Sequence, residues 1–209
     1  MGFSSLLMEF CEVDDKEQVR RYSTYVHDSS LQVFNLLENL LYWARSQTNE
    51  IQVSPSDINL NEIVLENIYL VRESAIKKQI TVNSSDFGEY RIFADANMMR
   101  TVLRNLLINA IKFTSRGGVV SVSAQKLDGF VKISVADTGI GIPEKDVNTI
   151  LTTGIGISQN GTEGEKGSGL GLVLCKEFVV RNGGVFMVES EPGKGSVFSF
   201  TLPESPVQS

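Results

Sequence analysis

Three short stretches hold residues whose types and spacing could do chemistry. In NLLINAIKFT, Asn105, Asn109 and Lys112 are four and three residues apart, so a helix puts them on one face. An amide oxygen at Asn109 suits a hard cation such as Mg²⁺, which keeps several waters and shares phosphate oxygens, and Lys112 can offset phosphate charge. Read alone, the same residues are the solvent face of an amphipathic helix. In VKISVADTGIGIP, Val131, Ile133 and Val135 alternate on one face of a strand, and Asp137 has their parity. Its carboxylate therefore points to the buried face at the strand's end, where it needs a hydrogen-bonding partner. A purine amino group with a bound water would serve, and Gly139 and Gly141 let backbone pass close to a flat ligand. An aspartate opening a turn is the plain alternative. Apolar-Asp-Thr-Gly is also how an aspartic protease starts its catalytic loop, but that chemistry needs two carboxylates sharing a proton; with one such triplet here only a homodimer could do it, and the other two stretches would stay unexplained. In EKGSGLGL, Gly167, Gly169, Leu170 and Gly171 lead into a helix whose free N–H groups form an anion site, with Lys166 within reach of a phosphate. The spacing matches neither the dinucleotide fingerprint nor a P-loop, and a flexible loop joint gives the same composition.

Each stretch needs an element to hold it. Asn59 and Glu62 read as a capping box that starts a helix running to about Lys77. Short strands follow at KQITVN and YRIFA, and Asp95 caps the helix from 96 to 114 that carries Asn105, Asn109 and Lys112. VVSVSAQ and FVKISVAD read as strands joined by a turn at Asp128-Gly129. The polar, Gly-rich tract 152–168 reads as a loop, and a helix from about Leu170 to Asn182 stops at Gly183-Gly184. VFMVES and SVFSFTLP close the chain as strands. The expectation is an α+β fold, a two-layer sandwich of a mixed sheet covered by helices on one face. Upstream, Val19, Tyr22, Val26, Ser29, Val33, Leu36, Leu40 and Trp43 follow heptad spacing, which predicts one arm of a helical bundle or coil. FSSLLMEF reads as a shorter helix before it, which together with the long one makes a hairpin over 1–50. A linker is expected over 51–59, the main domain over 60–203 and a tail over 204–209.

Composition narrows the classes. With 19 basic and 25 acidic residues the net charge is −6, and no basic cluster stands out, which disfavours nucleic acid as a partner. Two isolated cysteines, Cys11 and Cys175, with one histidine, make neither a disulfide framework nor a zinc site and suit a reducing compartment. No apolar run reaches the length of a membrane span, and the N-terminus lacks a signal-peptide pattern, so the cytoplasm is expected, with a membrane anchor upstream possible only outside this sequence.

Taken together, the three stretches resemble the N, G1 and G2 boxes of the gyrase, chaperone, histidine-kinase and mismatch-repair ATPase superfamily. Within it the chain is similar to the catalytic domain of bacterial sensor histidine kinases, over roughly 57–203, and LLENLLYWARSQ resembles the end of those kinases' dimerisation hairpin. The resemblance implies the Bergerat-type ATP-binding fold, ATP and Mg²⁺ as ligands, a homodimer through the hairpin, and a response-regulator receiver domain as phosphate recipient. It implies Mg²⁺ at Asn109, phosphate-side neighbours at Asn105 and Lys112, adenine at Asp137, and box glycines at 139, 141, 167, 169 and 171. The tract from about 146 to 168 is then the ATP lid. ATP-hydrolysing members carry a glutamate four residues before the Mg²⁺ asparagine to activate water. That position is Asn105 here, which points to phosphoryl transfer onto a protein side chain. The resemblance breaks in two places. The lid tract DVNTILTTGIGIS has no aromatic residue where the family has a phenylalanine box. His27, the only histidine, is followed by Asp28, Ser29 and Ser30, not by the basic residue and proline of an acceptor motif, and it sits 16 residues before Trp43 within one heptad run. The phosphoacceptor is therefore expected outside this chain, and His27 as an ordinary helix residue. A serine kinase of the same superfamily and a nucleotide-insensitive signalling adaptor are the alternative functions.

Overall fold

The computed structural model describes residues 16–26, 30, 52–85, 87–153, 160–165 and 169–206. The chain divides into two units, Met1–Ile51 and Gln52–Ser209. In the first, residues 16–26 are helical. Val19, Tyr22 and Val26 are half-buried on this stretch while most of the residues between them are exposed, which is the pattern a heptad seam produces. The remainder of the expected seam, FSSLLMEF and His27 lie outside the described residues.

The second unit builds in chain order. Strand β1 (Ser56–Asn59) leads into helix α1 (Leu60–Lys77), followed by β2 (Thr81–Ser84) and β3 (Arg91–Ala94). Helix α2 (Ala96–Phe113) precedes the hairpin of β4 (Val119–Leu127) and β5 (Phe130–Asp137). Helices α3 (Glu144–Thr153) and α4 (Gly171–Arg181) follow, then β6 (Phe186–Glu191) and β7 (Gly195–Pro203). The caps explain both long helices. The Asn59 side chain accepts from the N–H groups of Asn61 and Glu62, and that of Asp95 accepts from Asn97 and Met98. Each such cap is worth about 1 kcal/mol. Asp95 also accepts from Ser54 N at 3.0 Å, and its own N–H donates to Asn182 Oδ1 at 2.7 Å. Asn182 closes α4, so one buried amide joins the end of α4 to the start of α2.

Five strands form the main sheet in the order β2-β4-β5-β7-β6. β2 pairs with β4 in parallel and the other neighbours are antiparallel, so the sheet is mixed. α2 packs against β4 and β5 and against its neighbouring helices α1 and α4. Its buried stripe is Met98, Met99, Val102, Leu103, Leu106, Leu107, Ala110 and Ile111, the alternating steps of one and three of a core-facing helix. Facing rows of the sheet are apolar in register. Ala124, Ile133, Phe200 and Phe186 make one, and Val122, Val135, Phe198 and Val188 the next. Such alternation with period two commits one face of each strand to the core.

Two segments differ from the sequence expectation. Residues 56–59, expected inside a linker, are a strand that pairs antiparallel with β3 as a separate two-stranded sheet. Only Ile58 of the four is buried, so no alternation announced it. Residues 144–153, expected partly as lid, are a helix whose first turn carries Glu144 and Asp146. Pro143 directly before that acidic turn is an ordinary helix-start signal.

Candidate functional site

At one end of the sheet the apolar rows give way to polar side chains. Val120 faces Asp137, Asp137 faces Ser196, and Ser196 faces Ser190 across four adjacent strands. Asp137 is only 9% exposed, as its parity required. Its Oδ1 accepts from Gly139 N at 2.8 Å. Burial pushes its pKa above the ordinary carboxylate value, and the N–H groups of Gly139 and Ser196 pull only part of the way back. A buried carboxylate raised in this way has an energetic use for one more hydrogen-bond donor.

The loop after Asp137 is stitched on three sides. Val119 N donates to Thr138 Oγ1 at 2.9 Å, Ile140 N donates to Phe113 O at 3.1 Å, and Ile142 N donates to Ser190 Oγ at 2.8 Å. The Ser190 hydroxyl also lies 2.9 Å from that of Ser196. Gly139 and Gly141 were expected to make room for a ligand; the close approaches found are to the protein's own backbone. A Cβ at Gly139 would sit 2.4 Å from Phe113 O, and one at Gly141, where φ is +70°, would sit 2.0 Å from Glu191 O. These glycines let the loop lie flat against the end of α2 and the β6–β7 turn.

The polar face of α2 borders the same region. Asn105 and Asn109 are half-buried, and Lys112 is buried. Asn105 donates through Nδ2 to Thr101 O at 2.9 Å, and its Oδ1 lies so near α4 that a Cβ at Gly171 would approach it to 2.8 Å. Asn109 makes no side-chain hydrogen bond with a described residue, which leaves its amide oxygen available for a cation. No group of three or more His, Cys, Asp or Glu side chains suited to a metal occurs among the described residues. Burial lowers the pKa of Lys112; nearby Glu165 acts against this and nearby Lys78 with it. At the start of α4, Gly169 has φ +72° and no side chain makes a capping hydrogen bond at Leu170. Lys166 and Gly167 lie outside the described residues.

Sequence reading did not single out Ser190, Ser196 or Lys78. The two serines become visible only through strand register, which places them beside Asp137. Lys78 carried a signal that can be recognised afterwards: an amphiphilic cation directly after a helix, in a position that the packing of α1 on α2 buries to 4% exposure.

The model of the family described as histidine kinase-, DNA gyrase B-, and HSP90-like ATPase matches residues 94–206. The chain is 32% identical over 209 residues to the non-motile and phage-resistance protein of Caulobacter vibrioides, covering 97% of this chain and 25% of that protein. It is 28% identical over 208 residues to the sensor-like histidine kinase SenX3 of Mycolicibacterium smegmatis, covering 99% of this chain and 54% of that protein. The chain thus spans a quarter to about half the length of these relatives. Among solved structures, full-length ShkA in complex with AMPPNP superposes with a TM-score of 0.73 at 27% identity, over 99% of this chain and 46% of that one.

Proposed function

Because the chain belongs to the histidine kinase-, DNA gyrase B-, and HSP90-like ATPase family, we propose that it is the ATP-binding catalytic core of a two-component sensor histidine kinase. The observation that carries this is the polar row at the sheet's end. Asp137, buried and raised in pKa, keeps an acceptor for the amino group of adenine while Gly139 and Ser196 hold it in place. Asn109 offers one amide oxygen, which suits Mg²⁺ bound mainly through water and phosphate. The cation would neutralise charge on the phosphates. Lys112 and the uncapped start of α4 supply further positive potential on the phosphate side. The α2 position one turn before Asn109 is Asn105, an amide already bonded to Thr101 O and packed on Gly171. It cannot take a proton from water, so the site favours transfer of the γ-phosphoryl group to a protein side chain over hydrolysis.

The recipient in this reading is a histidine other than His27, followed by the receiver domain of a response regulator. Pairing of two chains through the seam of residues 16–48 would bring kinase and acceptor helices together. No described helix is long and apolar enough to cross a membrane. The reading is tested by calorimetric titration of the chain with AMPPNP in Mg²⁺, together with incubation in labelled ATP. Saturable binding with slow hydrolysis and no acid-labile phosphate on His27 is expected. Rapid steady-state hydrolysis, or no binding, would refute it.

A further inference from the structure

A deeply buried lysine lies outside the site just described. Lys78 follows α1 directly, its side chain is 4% exposed, and an unpaired ammonium at that depth would not be tolerated. All three of its N–H groups are used. Nζ donates to Ile111 O at 2.9 Å, to Lys112 O at 2.8 Å and to Glu165 Oε1 at 2.7 Å. The first two acceptors are carbonyls of the last turn of α2, where the helix leaves them without partners and where the macrodipole is negative. The third belongs to the turn over 161–165, which leads toward the glycine-rich start of α4.

That turn is docked on the same helix end by several further bonds. Thr162 N donates to Lys112 O at 3.1 Å, Thr162 Oγ1 donates to Thr114 O at 3.0 Å, and Arg116 Nε donates to Glu163 Oε1 at 2.8 Å. The turn is also closed on itself, by Gly161 N to Glu165 O at 2.8 Å and Glu163 N to Glu165 Oε2 at 2.8 Å. A Cβ at Gly161 would fall 2.6 Å from Lys112 Cγ and 2.3 Å from Glu165 Oε2, so the turn and the lysine stem lie in direct contact.

We infer that Lys78 is a positioning residue for the phosphate side of the nucleotide site: its buried ammonium clamps the end of α2 that bears Asn109 and Lys112 to the turn that precedes Gly169–Gly171. The inference rests on the nucleotide reading above and adds a residue that never touches the ligand. Burial would by itself raise the pKa of the Glu165 carboxyl, yet the hydrogen bond from Lys78 and the turn's own N–H groups hold it below the usual range, so Glu165 is an anion near neutral pH.

The test compares AMPPNP with adenosine, which has the base and no phosphate, on the full chain. Wild type, Glu165→Gln, Lys78→Gln and the double variant are titrated with both, by calorimetry for AMPPNP and chemical-shift changes for adenosine. Glu165 is 37% exposed and glutamine keeps an oxygen for Lys78 Nζ, so Glu165→Gln is expected to fold, with a lower nucleotide-free Tm because the buried ammonium loses its counter-charge. It should weaken AMPPNP by about three- to tenfold and leave adenosine alone, and Lys78→Gln should weaken AMPPNP further, with the double variant no worse than Lys78→Gln. If Lys78→Gln does not fold, the AMPPNP-to-adenosine ratio of Glu165→Gln decides. An unchanged ratio, or parallel loss of both ligands, overturns the role of Lys78 while the nucleotide reading stands. A wild type that binds neither ligand overturns both.

Discussion

Replacing Asp137 by asparagine should separate binding from stability in opposite directions. In the nucleotide-free protein the carboxyl is buried and its pKa is raised above 3.8, the ordinary value, first by desolvation. A group raised on folding contributes stability that is complete below its unfolded pKa and is lost as pH rises through its folded pKa. At neutral pH the ionised side chain therefore costs stability, and Asp137→Asn, which keeps an oxygen for Gly139 N, removes that cost. The variant should melt at the same temperature as wild type or higher at pH 7, and its advantage should shrink as pH falls toward 3.8. Binding moves the other way. The amide must turn its NH₂ toward the remaining acceptor position, where it meets the donor of the purine. Loss of a hydrogen bond to a charged group with an unpaired donor in its place costs about 3 kcal/mol, roughly a 100-fold weaker Kd. At a nucleotide concentration 100 times the wild-type Kd, wild type gains about 2.7 kcal/mol and the variant about 0.4 kcal/mol. For a domain of this size those are Tm rises of about 5–10 °C and about 1 °C. Thermal melting with and without AMPPNP at pH 7 and pH 5 reads both effects. An equal nucleotide-induced shift in the two proteins, or a variant several degrees less stable without nucleotide, would refute the assignment.

Three further outcomes follow from the geometry. Asn109→Ala should leave nucleotide affinity in EDTA unchanged and abolish the increase on adding Mg²⁺, as read by calorimetry in both buffers. Gly141→Ala places a Cβ 2.0 Å from Glu191 O at φ +70° and should destabilise the domain by about 3 kcal/mol or more in urea unfolding. Lys176 Nζ caps the end of α3 through Leu151 O and Thr152 O, so Lys176→Met should cost about 1 kcal/mol and speed amide exchange in residues 144–153 while α2 stays protected.

The parts of the site set by local periodicity were legible in the sequence. Strand parity alone placed Asp137 on the buried face, and helical spacing alone grouped Asn105, Asn109 and Lys112. The caps at Asn59 and Asp95 fixed where the two long helices begin. What could not be read depends on residues far apart in the chain. Ser196 reaches Asp137 only through the β5–β7 register, and Ser190 through one strand more. The burial of Lys78 depends on the packing of α1 against the far end of α2 and on a turn 87 residues away. Gly139 and Gly141 were recognised as special, but for contact with a ligand; the tight neighbours are Phe113 and Glu191, which sequence order does not bring to mind. β1 escaped notice because four residues with one buried side chain hold no alternation.

The order of the strands also bears on how the domain is reached from the unfolded chain. β4 with β5, and β6 with β7, are hairpins with tight turns, and such pairs form on a scale of about 1–10 μs. β5 with β7 joins those hairpins across the whole of α3 and α4, and Asp137 meets Ser196 only there. The floor of the proposed nucleotide site is thus a seam between two local hairpins, closed by the longest-range pairing in the sheet. If that long-range pairing forms last, a ligand that needs the seam binds only the completed sheet. In the proposed reading, nucleotide should slow unfolding of the domain and leave its refolding rate unchanged, as stopped-flow unfolding and refolding with and without AMPPNP would read.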